Sequence, residues 1–414
     1  MGTDYSSKDI RAAYQEYRQK HGDRDGRAKF RADFKRKLET KELRPEQISI
    51  RALFEGLVED GREIADRWAR PKSDDIEVRD LMEAGTATAV GYADFSNITG
   101  QIFFTEILDK YEDEEFVFSK AVEKKQSAIQ DIERIAGLSR LGDQFLTVGE
   151  NGEYRRLGVS EDYIEIPAKV KRGAIVEVTK EAVAGDLTGQ LLERCGELGF
   201  YAGLNVEKRI IDAIIDEGDG AAGAHQGGHR YTWKGTAYAT YQASAPWVNL
   251  KTSNALADYT DIQNAWLQMA AITDPYTGEP ILINPDTVIV GPDLVWEANR
   301  ILTASTNRVV TPGYATTANP ISTEGPNLAA KVMGSLNILS SRLLKARMGT
   351  DTTWYMGNPR KAVRRYYNWD VTPQQRGTGT EAEFNRDVVN QYKVSWKDCV
   401  SVIQPRVLQK NTVA

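Results

Sequence analysis

The chain has 414 residues, 41 % of them hydrophobic, which is enough to bury one or two apolar cores and excludes a disordered chain. Its 53 Lys and Arg against 59 Asp and Glu leave a net charge of −6, a balance that disfavours tight, sequence-reading nucleic-acid binding. Two cysteines, Cys195 and Cys399, are too few for a disulfide framework and read as small apolar residues of a protein made in a reducing compartment.

The first twenty residues carry charges every few positions, so no signal peptide is expected. No stretch approaches the roughly 20 apolar residues of a membrane span. Asn97-Ile98-Thr99 fits the glycosylation acceptor pattern but means nothing without secretion. Residues 1–88 form a charged helical N-terminal segment. One helix starts at Ser6, with Asp9 as its box partner, and is ended by Gly22. A second, Pro45 to Trp68, places Ile48, Leu53, Leu57, Ile64 and Trp68 near one face. So few apolar residues predict a solvated helical arm. Residues 89–135, opening on GYADFSNITGQIFF, mix aromatics with turn signals and predict an extended arm.

Residues 136–178 read as a long hairpin. Phe145-Leu146-Thr147-Val148 enters a turn at Asn151-Gly152, the strongest short hairpin signal. The chain returns through Tyr163-Ile164-Glu165-Ile166, is interrupted by Pro167, and continues from Ala174 to Val178. Pro167 cannot donate to a ladder, which predicts an edge ribbon with little core of its own. Residues 179–240 open on the clearest element: after Thr179 as N-cap, Leu191, Cys195, Leu198, Ala202, Val206, Ile210 and Ile214 trace the stripe of a long amphipathic helix that ends before Gly218.

Over 241–345 the reading is a helix at Thr260–Ile272, a buried strand at Thr287–Val290, a helix at Leu294–Thr303 and a loop from Val309 to Asn327. Residues 346–414 return strands at Trp354–Met356, Val388–Val394 and Cys399–Ile403. This order is α+β, without βαβ alternation.

A search for chemistry yields only decoys. Gly218-Asp219-Gly220-Ala221-Ala222-Gly223 has the letters of a dinucleotide fingerprint but follows a helix, not a strand, so a loop is the better reading. His225 and His229 have zinc-ligand spacing, yet Gln226, Gly227 and Gly228 between them oppose the helix that the spacing needs. No nucleotide loop, nucleophile elbow or paired-cysteine motif occurs, and no catalytic, cofactor or metal residue is assigned. Arg360-Lys361-Ala362-Val363-Arg364-Arg365-Tyr366-Tyr367 interleaves cations with aromatics. It reads as a subunit interface ahead of a nucleic-acid patch, because Arg and Tyr are enriched at protein contacts.

The order of pieces resembles the Hong Kong 97 type capsid fold of tailed bacteriophages. Three stretches carry the likeness. Lys171-Arg172-Gly173-Ala174-Ile175-Val176-Glu177-Val178-Thr179-Lys180-Glu181-Ala182 with Asp186-Leu187-Thr188-Gly189 resembles the entry to that family's spine helix. Asn284-Pro285-Asp286-Thr287-Val288-Ile289-Val290-Gly291-Pro292 with Ala298-Asn299-Arg300-Ile301-Leu302 resembles its A-domain strand and helix. Phe384-Asn385-Arg386-Asp387-Val388-Val389 and Pro405-Arg406-Val407 resemble its P-domain strands.

The resemblance implies an N-arm at 89–135, an E-loop hairpin at 136–178, a spine helix and the start of the P-domain at 179–240, an A-domain at 241–345 and returning P-domain strands at 346–414. It leaves 1–88 as a scaffold-like segment or a retained arm. The function it implies is a non-enzymatic major head protein whose copies form hexamers and pentamers of an icosahedral shell around double-stranded DNA, without sequence-specific binding or a membrane. Implied partners are the protein itself, a portal and, in some members, scaffolding or decoration proteins. Implied locations are the virion and, during assembly, the host cytoplasm. Some members link a Lys of the E-loop covalently to a neighbour. Lys169 and Lys171 lie near that loop, but lysines are common on surfaces and no link is expected. The competing readings are an encapsulin-like nanocompartment shell and a soluble carboxylate-based hydrolase.

Overall fold

Gly22 sits at φ 81, a left-handed backbone that suits glycine, and separates two charge-rich helices, α1 (Ser7–His21) and α2 (Asp23–Glu39). These belong to a computed structural model that describes residues 7–43, 49–58, 60–69, 86–113, 115–137, 147–148, 150, 153, 162–179, 190–216, 231–274, 278–303, 306–310, 322–326, 336–348, 352–376 and 388–413. The chain forms two compact units. The first comprises Met1–Glu114, Lys171–Asn205 and Trp369–Trp396, and the second Glu115–Val170, Val206–Asn368 and Lys397–Ala414.

In the first unit the N-terminal helices are packed, in contrast to the expected solvated arm. Ile10 and Tyr14 of α1 and Phe30, Phe34 and Leu38 of α2 recur every four residues and are buried, with the Tyr14 and Phe30 rings edge-on at 5.4 Å. The stretch expected as one helix from Pro45 to Trp68 is two, α3 (Ile50–Leu57) and α4 (Gly61–Ala69). Val58 is extended and Asp60 has φ 59, which breaks the ladder between them. Ser49 caps α3 by accepting from the Ala52 amide at 3.4 Å. Leu53 and Leu57 are buried as expected, while Ser6, Pro45 and Ile48 lie outside the described residues.

The expected extended arm is instead a helix, α5 (Thr86–Tyr111). Phe95, Ile98, Ile102 and, beside it, Phe103 and Ile107 are buried; the steps of three and four from Phe95 to Ile102 and from Phe103 to Ile107 make two adjoining rows of one broad face. Glycine, serine and asparagine between them had disguised the period. Gly100 lies against Gln375, and Asn97 is exposed. Asn97-Ile98-Thr99 is therefore helical, with Ile98 and Thr99 buried.

The long helix, α7 once the short α6 (Val117–Ala121) is counted, runs Gln190–Ile215. Its described residues begin at Gln190; Thr179, the expected cap, closes a strand, and residues 180–189, where the start was expected, lie outside the described residues. Ala202, Val206, Ile210 and Ile214 are buried as the stripe requires. In the first unit α7 crosses α5 closely. A Cβ on Gly199 would stand 2.1 Å from the Ile107 carbonyl oxygen, so only glycine fits that crossing.

The described residues also form four sheets, and the helices and sheets together are α+β, as expected. In the second unit, five strands run in the order β11 (Asn337–Leu339), β8 (Thr287–Val290), β12 (Trp354–Gly357), β15 (Leu408–Asn411) and β7 (Leu250–Lys251). All four residues of β8 are buried, as suits a central strand. Helices α8 (Tyr259–Ala270) and α9 (Val295–Thr303) supply Ile262, Ala265, Met269, Ala298 and Ile301 to a core shared with Val288, Val290, Trp354 and Met356. Asp258 and Asp261 form a capping box at the start of α8.

The expected edge ribbon is two strands of different sheets. Of these, β3 (Tyr163–Ile166) lies inside the order β2 (Glu133–Ala136), β3, β5 (Tyr231–Trp233), β6 (Thr236–Tyr238). Its continuation β4 (Val170–Thr179) is the edge of the order β1 (Glu123–Gln126), β13 (Val363–Arg376), β14 (Val388–Val402), β4. Pro167 ends one ladder and frees the chain to join another. Phe145, Leu146, Asn151 and Gly152 lie outside the described residues, and Thr147 and Val148 are not in a strand.

The expected loop over 309–327 contains strand residues: β9 (Thr306–Val310) pairs antiparallel with β10 (Ser322–Pro326). The two expected C-terminal strands are one, β14, whose β-branched and aromatic residues carry it through Ser395 and Asp398.

Candidate assembly surface

The segment Arg360–Tyr367 was expected to be an interface or a nucleic-acid patch, and the structure divides it. Arg360 and Lys361 are exposed, whereas Arg365 and Tyr366 are buried inside the second unit. Arg365 and Tyr366 point to opposite faces of β13 and both faces are covered there; Arg365 Nε donates to Asp398 Oδ2 at 2.6 Å. Arg209 of α7 donates to the same oxygen from Nη2 at 2.8 Å. Burial opposes the charge on Asp398, but the two guanidiniums outweigh it and hold the carboxyl below the usual carboxylate range. Arg364 pairs with Glu123 across the β1–β13 ladder. Thus Arg365 and Tyr366 are structural, and the surface reading applies to Arg360 and Lys361 alone.

Lys169 is likewise inward. Its side chain is fully buried, and Nζ donates to Glu133 Oε2 at 2.8 Å and to Ser127 Oγ at 3.2 Å. A buried, paired ammonium is a poor nucleophile for a link to a neighbour. Lys171, on β4, is exposed.

Glu207 of α7 is also buried. It accepts from the amides of Phe118 and Ser119 at 2.7 Å each, which satisfies the first turn of α6. Burial raises its pKa, and the two amides only partly offset this. These charged residues escaped the sequence reading because buried ion pairs leave no short motif. The one available signal was the inward register of Glu207 and Arg209 beside Val206 and Ile210.

Cys399 packs with Ile166 and Tyr366, and burial pushes its thiol up to about 12, so it behaves as an apolar filler as expected. The side chain of Cys195, Gly218–Gly223, His225 and His229 lie outside the described residues. Among the described residues no three His, Cys, Asp or Glu side chains cluster as a metal site would need. Among those residues, too, no helix is long and apolar enough to cross a membrane.

The second unit leaves several large apolar side chains in water. Trp296 of α9 is 79 % exposed and Leu282 is 94 % exposed, and Trp266 and Leu267 of α8 also face solvent. The inward faces of both helices are already occupied by the core shared with β8 and β12, so Trp266, Leu267 and Trp296 on their outward faces are surplus to that core. Large aromatic side chains left in water mark a surface that awaits a partner. Among the described residues β4 is the edge strand of its sheet, with Ile175 exposed.

A family model described as phage capsid protein matches residues 163–411, from the start of β3 to the end of β15. No curated protein matches the chain. Among solved structures, it is similar to the virus-like particle from Pyrococcus furiosus, at 12 % identity over 75 % of this chain and 97 % of that one, with a TM-score of 0.39. It is also similar to Gordonia phage Cozz, at 14 % identity over 80 % and 96 %, TM-score 0.42. A third is the capsid of cyanophage P-SCSP1u, at 13 % identity over 72 % and 88 %, TM-score 0.42.

Proposed function

This chain belongs to the phage capsid protein family and is a shell subunit of the virion, and from that premise we propose that its copies close, as hexamers and pentamers, into an icosahedral shell enclosing double-stranded DNA. The observation that supports the reading most directly is the outward set Trp266, Leu267, Leu282 and Trp296, which a lone subunit leaves in water and a neighbour would cover. Residues 241–345, which carry α8 and α9, then serve as the A-domain. The strands of 346–414 serve as the P-domain, 136–178 as the E-loop and α7 as the spine.

In this reading the protein is no enzyme. Its buried charges, Arg209, Arg365, Asp398 and Lys169, the last paired with the half-buried Glu133, hold strands and helices together instead of facing a substrate. Assembly takes place in the host cytoplasm, with a portal at one vertex and scaffolding or decoration proteins as further partners. Residues 1–88 are a retained module, because α1, α2 and α3 bury their apolar faces in the same unit as α5.

The test is negative-stain microscopy with size-exclusion chromatography of the full chain, alone and beside its neighbouring genes. Shells, or rings of five and six subunits, are expected. A stable monomer or dimer under every condition would overturn the reading. A cargo enzyme inside the shells would turn it to a nanocompartment. Denaturing gels of the shells are expected to show monomer-sized bands only, in keeping with the buried Lys169.

A further inference from the structure

Charge is unevenly distributed along this acidic chain. Residues 7–43, the α1–α2 hairpin with its exit, hold 12 Lys and Arg against seven Asp and Glu, a net charge of +5. The rest of the chain holds 41 against 52. Several hairpin cations are spent on local carboxylates, such as Arg18 on Asp23, Lys20 on Glu16 and Arg36 on Asp33. Lys8, Arg11, Arg24 and Lys29 are exposed and make no ion pair with any described residue. Lys29 Nζ lies 3.1 Å from His21 Nδ1 beside the turn.

The hairpin is also held in place. Tyr14 donates to Asp94 of α5 at 2.6 Å inside the bundle, and Arg27 and Arg31 flank that carboxylate at 4.0 and 3.8 Å. Of its own aromatics Tyr14, Phe30 and Phe34 are buried, and the half-buried Tyr17 is edge-on to Phe30 at 5.7 Å with its hydroxyl donating to Asp33. It therefore offers cations on a rigid support without a stacking platform for unpaired bases, which favours a duplex over a single strand. One turn on from Lys8 and Arg24 are Ala12 and Ala28, both exposed and short enough to let a backbone approach. From Lys8 to the turn at Gly22, α1 spans about 20 Å, the length of roughly six phosphates of each duplex strand.

We propose that the α1–α2 hairpin is a sequence-independent binding surface for duplex DNA, made by Lys8, Arg11, Arg24 and Lys29 on the phosphate backbone. This rests on the shell reading only for the source of the duplex, the packaged genome. The overall charge of −6 fits such weak, salt-sensitive contact and opposes sequence readout.

The test uses the full chain and a fluorescent duplex of about 30 base pairs in two unrelated sequences, read by anisotropy against salt. The expected slope of log affinity on log salt is about −3 to −4, for four phosphate contacts, with the two sequences alike within about twofold. The combined variant Lys8→Glu, Arg11→Glu, Arg24→Glu, Lys29→Glu should keep its circular dichroism and lose at least about tenfold in affinity at low salt. Unchanged affinity in that variant, or tighter binding of polyglutamate than of the duplex, would overturn the proposal; the second result would point to an acidic protein partner. Microscopy of the same samples separates the two readings. Shells that form while the variant binds DNA as before sink only the hairpin, and DNA binding that responds as expected without shells sinks only the capsid reading.

Discussion

The two units of this chain handle charge in opposite ways. In the helices α1, α2 and α3 of the first, the apolar stripe is buried and none of the described charged residues is; the buried carboxylates of that unit, Asp94 and Glu106, both lie on α5. In the second, Arg365, Arg406, Lys169, Asp398 and Glu207 are all buried. The strands account for Arg365 and Asp398: Arg365 and its neighbour Tyr366 on β13, and Asp398 through Val402 on β14, are all buried, so side chains on both faces of those strands are withdrawn from water whatever their polarity. A helix can confine its charges to an outer arc. A cation trapped inside a sheet needs a carboxylate, and its removal leaves an uncompensated charge.

The largest expected effect tests that contrast directly. Asp398→Ala removes the carboxylate shared by Arg209 and Arg365 and should cost about 3–5 kcal/mol, read as a lower urea midpoint and loss of soluble subunit. A cost under about 1 kcal/mol would mean the buried charges are better hydrated than their burial implies. Next, Phe54→Ala, at a fully buried ring edge-on to Phe95 at 5.1 Å, should cost about 3 kcal/mol. Hydrogen exchange should then rise in α1–α3 while β8 and β12 stay protected; a uniform rise would show that the units unfold as one.

Acid gives a smaller effect with a definite sign. Asp398 has its folded pKa held below its unfolded value near 3.8, so its contribution is full above that pH and is lost as pH falls through the lower, folded value. Wild-type stability should therefore drop below about pH 4, and Asp398→Asn should lose that part of the drop. Glu207 runs the other way: its raised folded pKa favours the folded state on the acid side. The smallest effect on stability belongs to Trp296→Ser, within about 0.5 kcal/mol for a side chain 79 % exposed. The same variant should assemble poorly by light scattering, and normal assembly would remove Trp296 from the contact.

Much was legible where the pattern was local. The stripe of α7, the buried run of β8, the helices α8 and α9 and the strand β12 all follow from periodicity, and the family likeness followed from their order. The sequence by itself also determined the α+β class and the basic bias of residues 7–43. What only the tertiary structure decided was which partner each segment found. The residues of α5 read as an extended arm because its small and polar residues interrupt an apolar face that matters only when packed. Pro167 marked a break, but not that β3 and β4 would enter different sheets, since strand pairing depends on residues far off in the chain. The same distance hid Arg209, Arg365 and Asp398 from one another, because a buried ion pair is a property of the fold and not of any window of sequence.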